Sequence, residues 1–248
     1  MDPFFLWIVV AFFAAAIVYS MVGFGGGSAY LAILALAGVP YQSIPQIGLV
    51  CNLVVSAGGV WHFWRGGHLR MSTVMPFVVF SVPMAFVGGS IAVSDELFVV
   101  LLAGALFAAG ARMFISDRAS SAKIASTRYA WWLGAPIGAL LGLLAGIVGI
   151  GGGIFLAPVL LLSGWATAKQ AAAAASVFIF VNSAAGLAGQ FSKGFHVDAT
   201  LIPLVIAAWL GGQIGSRAGA YRISSLGIRR LLAALVVLVS LRLIWGTI

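Results

Sequence analysis

Two short runs of glycine carry the groups in this chain best suited to chemistry. Gly25, Gly26, Gly27 and Ser28 lie in GFGGGSAYLAILALAG, residues 23–38, and Gly151, Gly152, Gly153 and Ile154 lie in GIGGGIFLAPVLLLSG, residues 149–164. The offset is constant, since 149 minus 23 and 164 minus 38 both give 126. Each run interrupts apolar sequence and precedes a short apolar piece, so it places a row of backbone amides at the start of a predicted half-length helix. Such an end gathers unpaired N–H groups and the positive pole of the helix dipole, and the missing Cβ lets a ligand oxygen come close. The chemistry suits an anion. Tight helix packing is the competing reading, although packing contacts ordinarily need spaced glycines rather than three in a row. A dinucleotide site would need a strand before the glycines, and none is predicted.

Asn52 and Asn182 are the next candidates. Each lies deep in an apolar segment, where an unpaired amide is costly and needs a partner or a ligand. They are 130 apart, as are Arg112 and Arg242, which implies 130 minus 126, or four, extra residues between glycine run and asparagine in the second copy. Gln46, Ser56, Ser176, Ser183 and Gln190 occupy the same two segments, and Asn52 and Ser56 share a helix face. At each of these positions, hydrogen bonds between helices compete with substrate contact as the explanation. Asp2, Asp95, Glu96, Asp117 and Asp198 all fall at segment ends or in loops, which argues against a cationic substrate and against a carboxylate proton relay. Lys169 is the basic residue nearest a glycine run, placed either to draw anions into an outer vestibule or to snorkel to an interface. His62 reads as an interfacial residue beside Arg65 rather than a proton carrier. No Ser-His or Cys-His pairing stands at interpretable spacing and no metal-ligand cluster is visible, so neither catalysis nor a cofactor is expected.

The elements that position these residues are apolar spans. Of 248 residues, 62% are hydrophobic and 7% charged, with mean hydropathy +1.15, so the chain reads as an all-α polytopic membrane protein with the lipid bilayer as its surroundings. Segments are predicted at residues 4–22, 28–38, 42–64, 71–93 and 97–115, and again at 129–148, 154–163, 167–191, 197–216 and 229–246. The first lacks a basic leader and a clear cleavage site and reads as a span rather than a signal peptide. Two halves result, residues 1–115 and 129–248, joined by the basic linker 116–128. Cys51 reads as a small core residue, and a single cysteine excludes an internal disulfide. The net charge of +8 comes from basic residues clustered in short loops, which points to cytoplasmic faces rather than to nucleic acid. Trp7, Trp61, Trp64, Trp131, Trp132, Trp165 and Trp245 near segment ends suggest an aromatic belt.

Charge also decides how to count the short pieces. If each counts as a crossing, giving ten segments in two repeats of five, every strongly basic loop falls on one side and both termini on the other. If each is re-entrant, the loop holding Arg217, Arg222, Arg229 and Arg230 sits opposite the basic linker. Five per half is therefore expected. An odd number inverts the second repeat relative to the first, and a paired interruption in inverted repeats points to the binding site of a transporter.

With these residues in place, the chain resembles the TauE/SafE family of bacterial membrane permeases, the sulfite and organosulfonate exporters. The resemblance covers nearly the whole length. It rests on the doubled GxGGG stretch, residues 23–27 and 149–153, each ahead of a short apolar piece, and on Ala174, Ala175, Ser176 and the 182–189 region. It implies a secondary transporter in the bacterial cytoplasmic membrane that exports small sulfur-containing anions. The alternatives are an anion channel or a permease for a different small carboxylate or oxyanion. The first copy has Ile44, Pro45 and Gln46 where the second has an alanine run, so the two halves of the site are not expected to be equivalent.

Overall fold

The computed structural model describes residues 3–40, 43–91, 127–191 and 201–245. The expected fifth segment, most of the basic linker and the 193–198 loop lie outside the described residues. Nine helices follow among those described: α1 Pro3–Ser20, α2 Gly27–Leu36, α3 Ile44–Arg65, α4 Met71–Ser90, α5 Thr127–Val148, α6 Gly153–Leu162, α7 Ala168–Phe191, α8 Leu201–Arg217 and α9 Ser225–Trp245. A π-helical turn, Ala218–Arg222, extends α8. Six of the described helices are long and apolar enough to cross a membrane. By contrast α2 and α6 have 10 residues each, so each covers about half of a hydrocarbon core about 30 Å thick.

The last helix begins at Ser225, four residues before the predicted 229. The reason is a serine cap: Ser224 Oγ accepts from Gly227 N at 3.1 Å and Ser224 O from Ile228 N at 2.9 Å. Elsewhere the apolar runs and the helices agree closely, because in an apolar chain the breaks are set by glycine, proline and charge.

The packing is reciprocal between the halves. α4 packs on α5 and α7, and α8 packs on α1 and α3, while α3 and α7 pack on each other. Glycines four apart make the first contact of each set. Gly138, Gly142 and Gly146 of α5 lie against Phe77 O, Ser81 O and Ala85 O of α4, and Gly211, Gly215 and Gly219 lie against Phe13 O and Ile17 O of α1 and Met21 O just beyond it. Without a Cβ the backbones approach to contact, which is how helices associate where lipid removes the hydrophobic drive.

The same contacts fix directions. Residue numbers rise together along α4 and α5 and along α1 and α8, so each pair is parallel. At one end of the bundle His62 meets Gln213 and His68 meets Ala220, which makes α3 parallel to α8. Phe77 packs on Trp165 near the start of α7, and Phe86 on Gly189 near its end, so α4 and α7 are parallel. α3 and α7 are antiparallel, with Leu49 against Gly186 and Gly59 against Ser176. Hence α1, α3 and α8 run one way and α4, α5 and α7 the other. Because α1 and α3 are parallel, the glycine break and α2 must carry the chain back across the bundle.

The outer surface is apolar. Leu36, Trp7 and Trp132 are 88%, 73% and 74% exposed, a pattern for lipid contact in a multi-pass membrane protein rather than for water. The buried polar side chains among the described residues are all uncharged: serines, asparagines and glutamines.

Candidate functional site

The first glycine run turns the chain between α1 and α2. Val22 N and Phe24 N donate to Tyr19 O, and Gly23 N donates to Ser20 O, which closes the end of α1. Gly26 caps α2 with φ of 92°, a left-handed geometry that any side chain would strain, and Gly152 caps α6 with φ of 76°. In each copy the cap carbonyl takes the first helical bonds: Gly26 O from Ala29 N and Tyr30 N, Gly152 O from Phe155 N and Leu156 N. The far ends match too. Gly38 N donates to Ala35 O and Val39 N to Leu34 O, and Gly164 N donates to Leu161 O and Trp165 N to Leu160 O, the same glycine stop in both copies. The amides of Gly25, Gly26 and Gly27, and those of Gly151, Gly152, Gly153 and Ile154, have no acceptor among the described residues.

The two runs approach from opposite ends of the bundle. Gly23 lies against Ala172 O at the start of α7, and Gly149 against Pro45 at the start of α3, and these two helices are antiparallel. They meet at Asn52. Fully buried, Asn52 sets its Oδ1 against Gly25 and its Nδ2 2.5 Å from where a side chain on Gly27 would begin. The same Nδ2 donates to Gly149 O at 3.5 Å and stands 3.4 Å from the Cβ position of Gly151. A single amide thus touches both breaks.

The remaining predicted residues divide. Ser28 is buried in the first turn of α2, and its hydroxyl donates to Tyr19 Oη at 3.3 Å. Ser176 Oγ stands 3.1 Å from both Gly23 O and Ala172 O, joining α7 to the first run. Ser56 bonds back to Asn52 O and Leu53 O along its own helix, so its hydroxyl serves the backbone. Gln46 and Gln190 are buried at the start of α3 and the end of α7, away from the basic loops. Asn182 is fully buried with neither polar atom partnered among the described residues, and the same holds for Ser183 Oγ, which stands 2.9 Å from the Cβ position of Gly151.

A cavity of about 10 Å³, room for about one water molecule, opens between the runs. It is lined by the first run from Gly25 to Ser28 with Tyr19 and Phe24, and by Ile150, Ile154 and Ile179. Gly151, Gly152 and Gly153 do not line it. An oxyanion is larger than water, so its entry requires these walls to separate.

Lys169 lies at the end of the bundle that holds the arginine-rich turn. Its Nζ donates to Ala220 O at 3.0 Å, the carbonyl that His68 Nε2 also reaches at 3.1 Å. Lysine, Arg65–Arg70 loop and arginine-rich turn therefore share one end, the end that the charge distribution assigns to the cytoplasm. His62 bonds to Gln213 Oε1 at 3.1 Å beside Arg65, whose guanidinium lies 4.9 Å over Trp61. Burial pushes the His68 imidazole below its ordinary range, the bond to Ala220 opposes this, and the Lys169 charge adds to the lowering.

Comparison with known proteins decides the family. A family model described as "Sulfite exporter TauE/SafE" matches residues 8–243. The chain belongs to the TauE/SafE family. It is 33% identical over 247 residues to a protein of Sinorhizobium fredii described as "Probable membrane transporter protein y4hK", covering 99% of this chain and 100% of that one. No solved structure matches the chain. Family and relative both indicate a membrane transporter rather than an enzyme. Within this TauE/SafE protein, sequence reasoning passed over Tyr19, Phe24, Ile150 and Ile179 as cavity residues. Tyr19 had one available signal, a phenol four residues before a glycine break inside an apolar helix. The isoleucines had none.

Proposed function

We propose that this TauE/SafE protein is a secondary transporter that exports a small sulfur-containing anion, such as sulfite or an organosulfonate, across the bacterial cytoplasmic membrane. The carrying observation is the convergence of two capped half-length helices, with unaccepted amides at their starts, on Asn52. Backbone dipoles there stabilise negative charge without a buried cation, so the loaded and empty protein differ by the charge of the cargo alone. Gly25, Gly26, Gly27, Ser28 and Asn52 would hold the anion from one side. Gly151, Gly152, Gly153, Ile154, Asn182, Ser176 and the second-half polar residues would complete the site as the walls move.

The architecture in this reading is ten segments in two inverted repeats, residues 1–115 and 129–248. Its support is the direction of equivalent helices: α1 and α5, α3 and α7, and α4 and α8 run oppositely within each pair. Parallel α4 and α5 call for one further crossing between them, which would be segment 97–115. Breaks entering from opposite ends then suit alternating access, because rocking one half on the other exposes the same Asn52 to either side.

The test is flux in proteoliposomes. Saturable, counter-substrate-stimulated movement of labelled sulfite or ethanesulfonate is expected, with phosphate and acetate as competitors to rank. Conductance that never saturates would make the protein a channel, and no flux of any oxyanion would overturn the reading.

A further inference from the structure

Contacts between α3 and α7 come in reciprocal pairs. Gly59 lies against Ser176 and Gly186 against Leu49, and 186 minus 59 and 176 minus 49 both give 127. At that spacing the counterpart of Asn52 is Ile179 rather than Asn182, and the counterpart of Ser56 is Ser183. The glycine breaks agree. Asn52 fills the notch left by the missing side chains of Gly25 and Gly27, and Ile179 fills the one at Gly151 and Gly153, the same glycines 126 residues further on. Ile179 is buried, with Cγ2 2.8 Å from the Cβ position of Gly151 and Cδ1 2.5 Å from that of Gly153. It also lines the cavity at the first run, which Gly151 and Gly153 do not reach. The isoleucine therefore stands between that cavity and the second run.

Polar groups gather on its far side. Ser183 Oγ, fully buried and unpartnered among the described residues, lies 2.9 Å from the Cβ position of Gly151, and Asn52 Nδ2 lies 3.4 Å from the same point. A serine in a helix readily bonds back to the carbonyl four residues before it, as Ser56 does to Asn52 O, but Ser183 leaves that bond unmade. Burying an idle hydroxyl costs stability, and a ligand that accepts from it removes the cost. We propose that Ile179 is a plug, whose withdrawal from the notch at Gly151 and Gly153 joins that notch to the cavity and gives the anion Ser183 Oγ, Asn52 Nδ2 and the glycine amides. This rests on the transport reading above and deepens it, by naming the residue that shuts the second half-site and the hydroxyl that serves it. An apolar plug covers these donors without satisfying them, so an entering anion breaks no hydrogen bond to the plug. A β-branched side chain is stiff in a helix, so Ile179 leaves the notch by movement of α7 against α6, which couples loading to the rocking of the walls.

The experiment measures ethanesulfonate and sulfite binding to the purified full-length protein by calorimetry, with apo melting curves, in wild type, Ile179→Val, Ile179→Ala and Ser183→Ala. Ile179→Ala should melt lower without ligand, as a cavity-forming change does, and yet bind both anions severalfold tighter because the notch stands open. Ile179→Val loses only Cδ1 and should move the same way by less, and it serves if the alanine variant does not fold. Ser183→Ala should bind about fivefold weaker or more, with an apo melting temperature no lower than wild type, since its hydroxyl has no partner to lose. An isoleucine that only packs gives lower stability with equal or weaker binding. Unchanged or reduced affinity in the folded isoleucine variants, or normal affinity in folded Ser183→Ala, overturns the plug while wild-type binding and flux keep the transport reading. If wild type neither binds nor moves either anion, the transport reading falls and the plug with it.

Discussion

Gly27→Ala should disable the site by displacing Asn52, with no strain in its own backbone. Gly27 lies at the first residue of α2 without a left-handed φ, so alanine suits its backbone and is the better helix former. The difficulty is space. Its Cβ would stand 2.5 Å from Asn52 Nδ2 and 3.1 Å from Ile150 Cα, where ordinary contact begins near 3.4 Å. The amide must therefore retreat by 3.4 minus 2.5, or 0.9 Å, and its bond to Gly149 O, already 3.5 Å long, has no slack for that movement. Overpacking of this size costs about 1–3 kcal/mol, and because the clash stands in the anion-free protein it should appear as a lower melting temperature together with a displaced Asn52 amide and weaker anion binding. Ligand titration of the purified variant, with an apo melting curve on the same sample, separates binding from folding. Asn52→Ala removes the obstructing amide, so adding Gly27→Ala to it should cost less than Gly27→Ala costs alone. Normal affinity and flux in a well-folded Gly27→Ala protein would refute the placement of the site. Valine at Gly26 or Gly152 makes a poorer test, because those positions combine left-handed backbone with a side chain pressed on Tyr30 or Phe178, and loss of folding would mask loss of binding.

Other expectations follow from the same geometry. Gly38→Ala meets nothing within 4 Å but carries φ of 74°, so it should cost about 1–2 kcal/mol of stability as a lowered melting temperature and leave transport intact. Asn182→Leu removes a buried, unpartnered amide, so the apo protein should melt higher, while the stabilisation by bound anion should shrink if the amide serves the ligand. The lowered pKa of His68 means that the folded protein takes up this proton less readily than the unfolded chain. Its contribution is complete above about pH 6.5 and declines as pH falls below it, and His68→Gln should flatten that part of a melting-temperature profile. A cysteine at Ser225 in a Cys51→Ala background should be labelled from the cytoplasmic side, and labelling from the outside alone would overturn the five-plus-five topology.

The glycine runs, their 126-residue spacing and the half-length of the pieces after them were legible in sequence, because glycine in an apolar run has a local meaning that needs no partner. The caps at Gly26 and Gly152 and the stops at Gly38 and Gly164 fall where that reading requires. The odd count of crossings stays a proposal that rests on the positions of arginine, since the bilayer imposes one coordinate on every loop. Relations within the membrane plane were not legible. Periodicity cannot say that Asn52 lies between the two runs while Ser56, on the same face, bonds only its own helix. Nor can it say that Lys169 belongs with His68 and Ala220. Those facts depend on which helices adjoin, and adjacency here is decided by Gly138, Gly142 and Gly146 on one side and Gly211, Gly215 and Gly219 on the other, which admit α4 and α1 to backbone contact. The spaced glycines are visible in the chain, but their partners are carbonyl oxygens that every residue possesses. Only the tertiary structure selects among them, and with that choice it brings Tyr19 and Ser28 of the first half to one cavity with Ile150, Ile154 and Ile179 of the second.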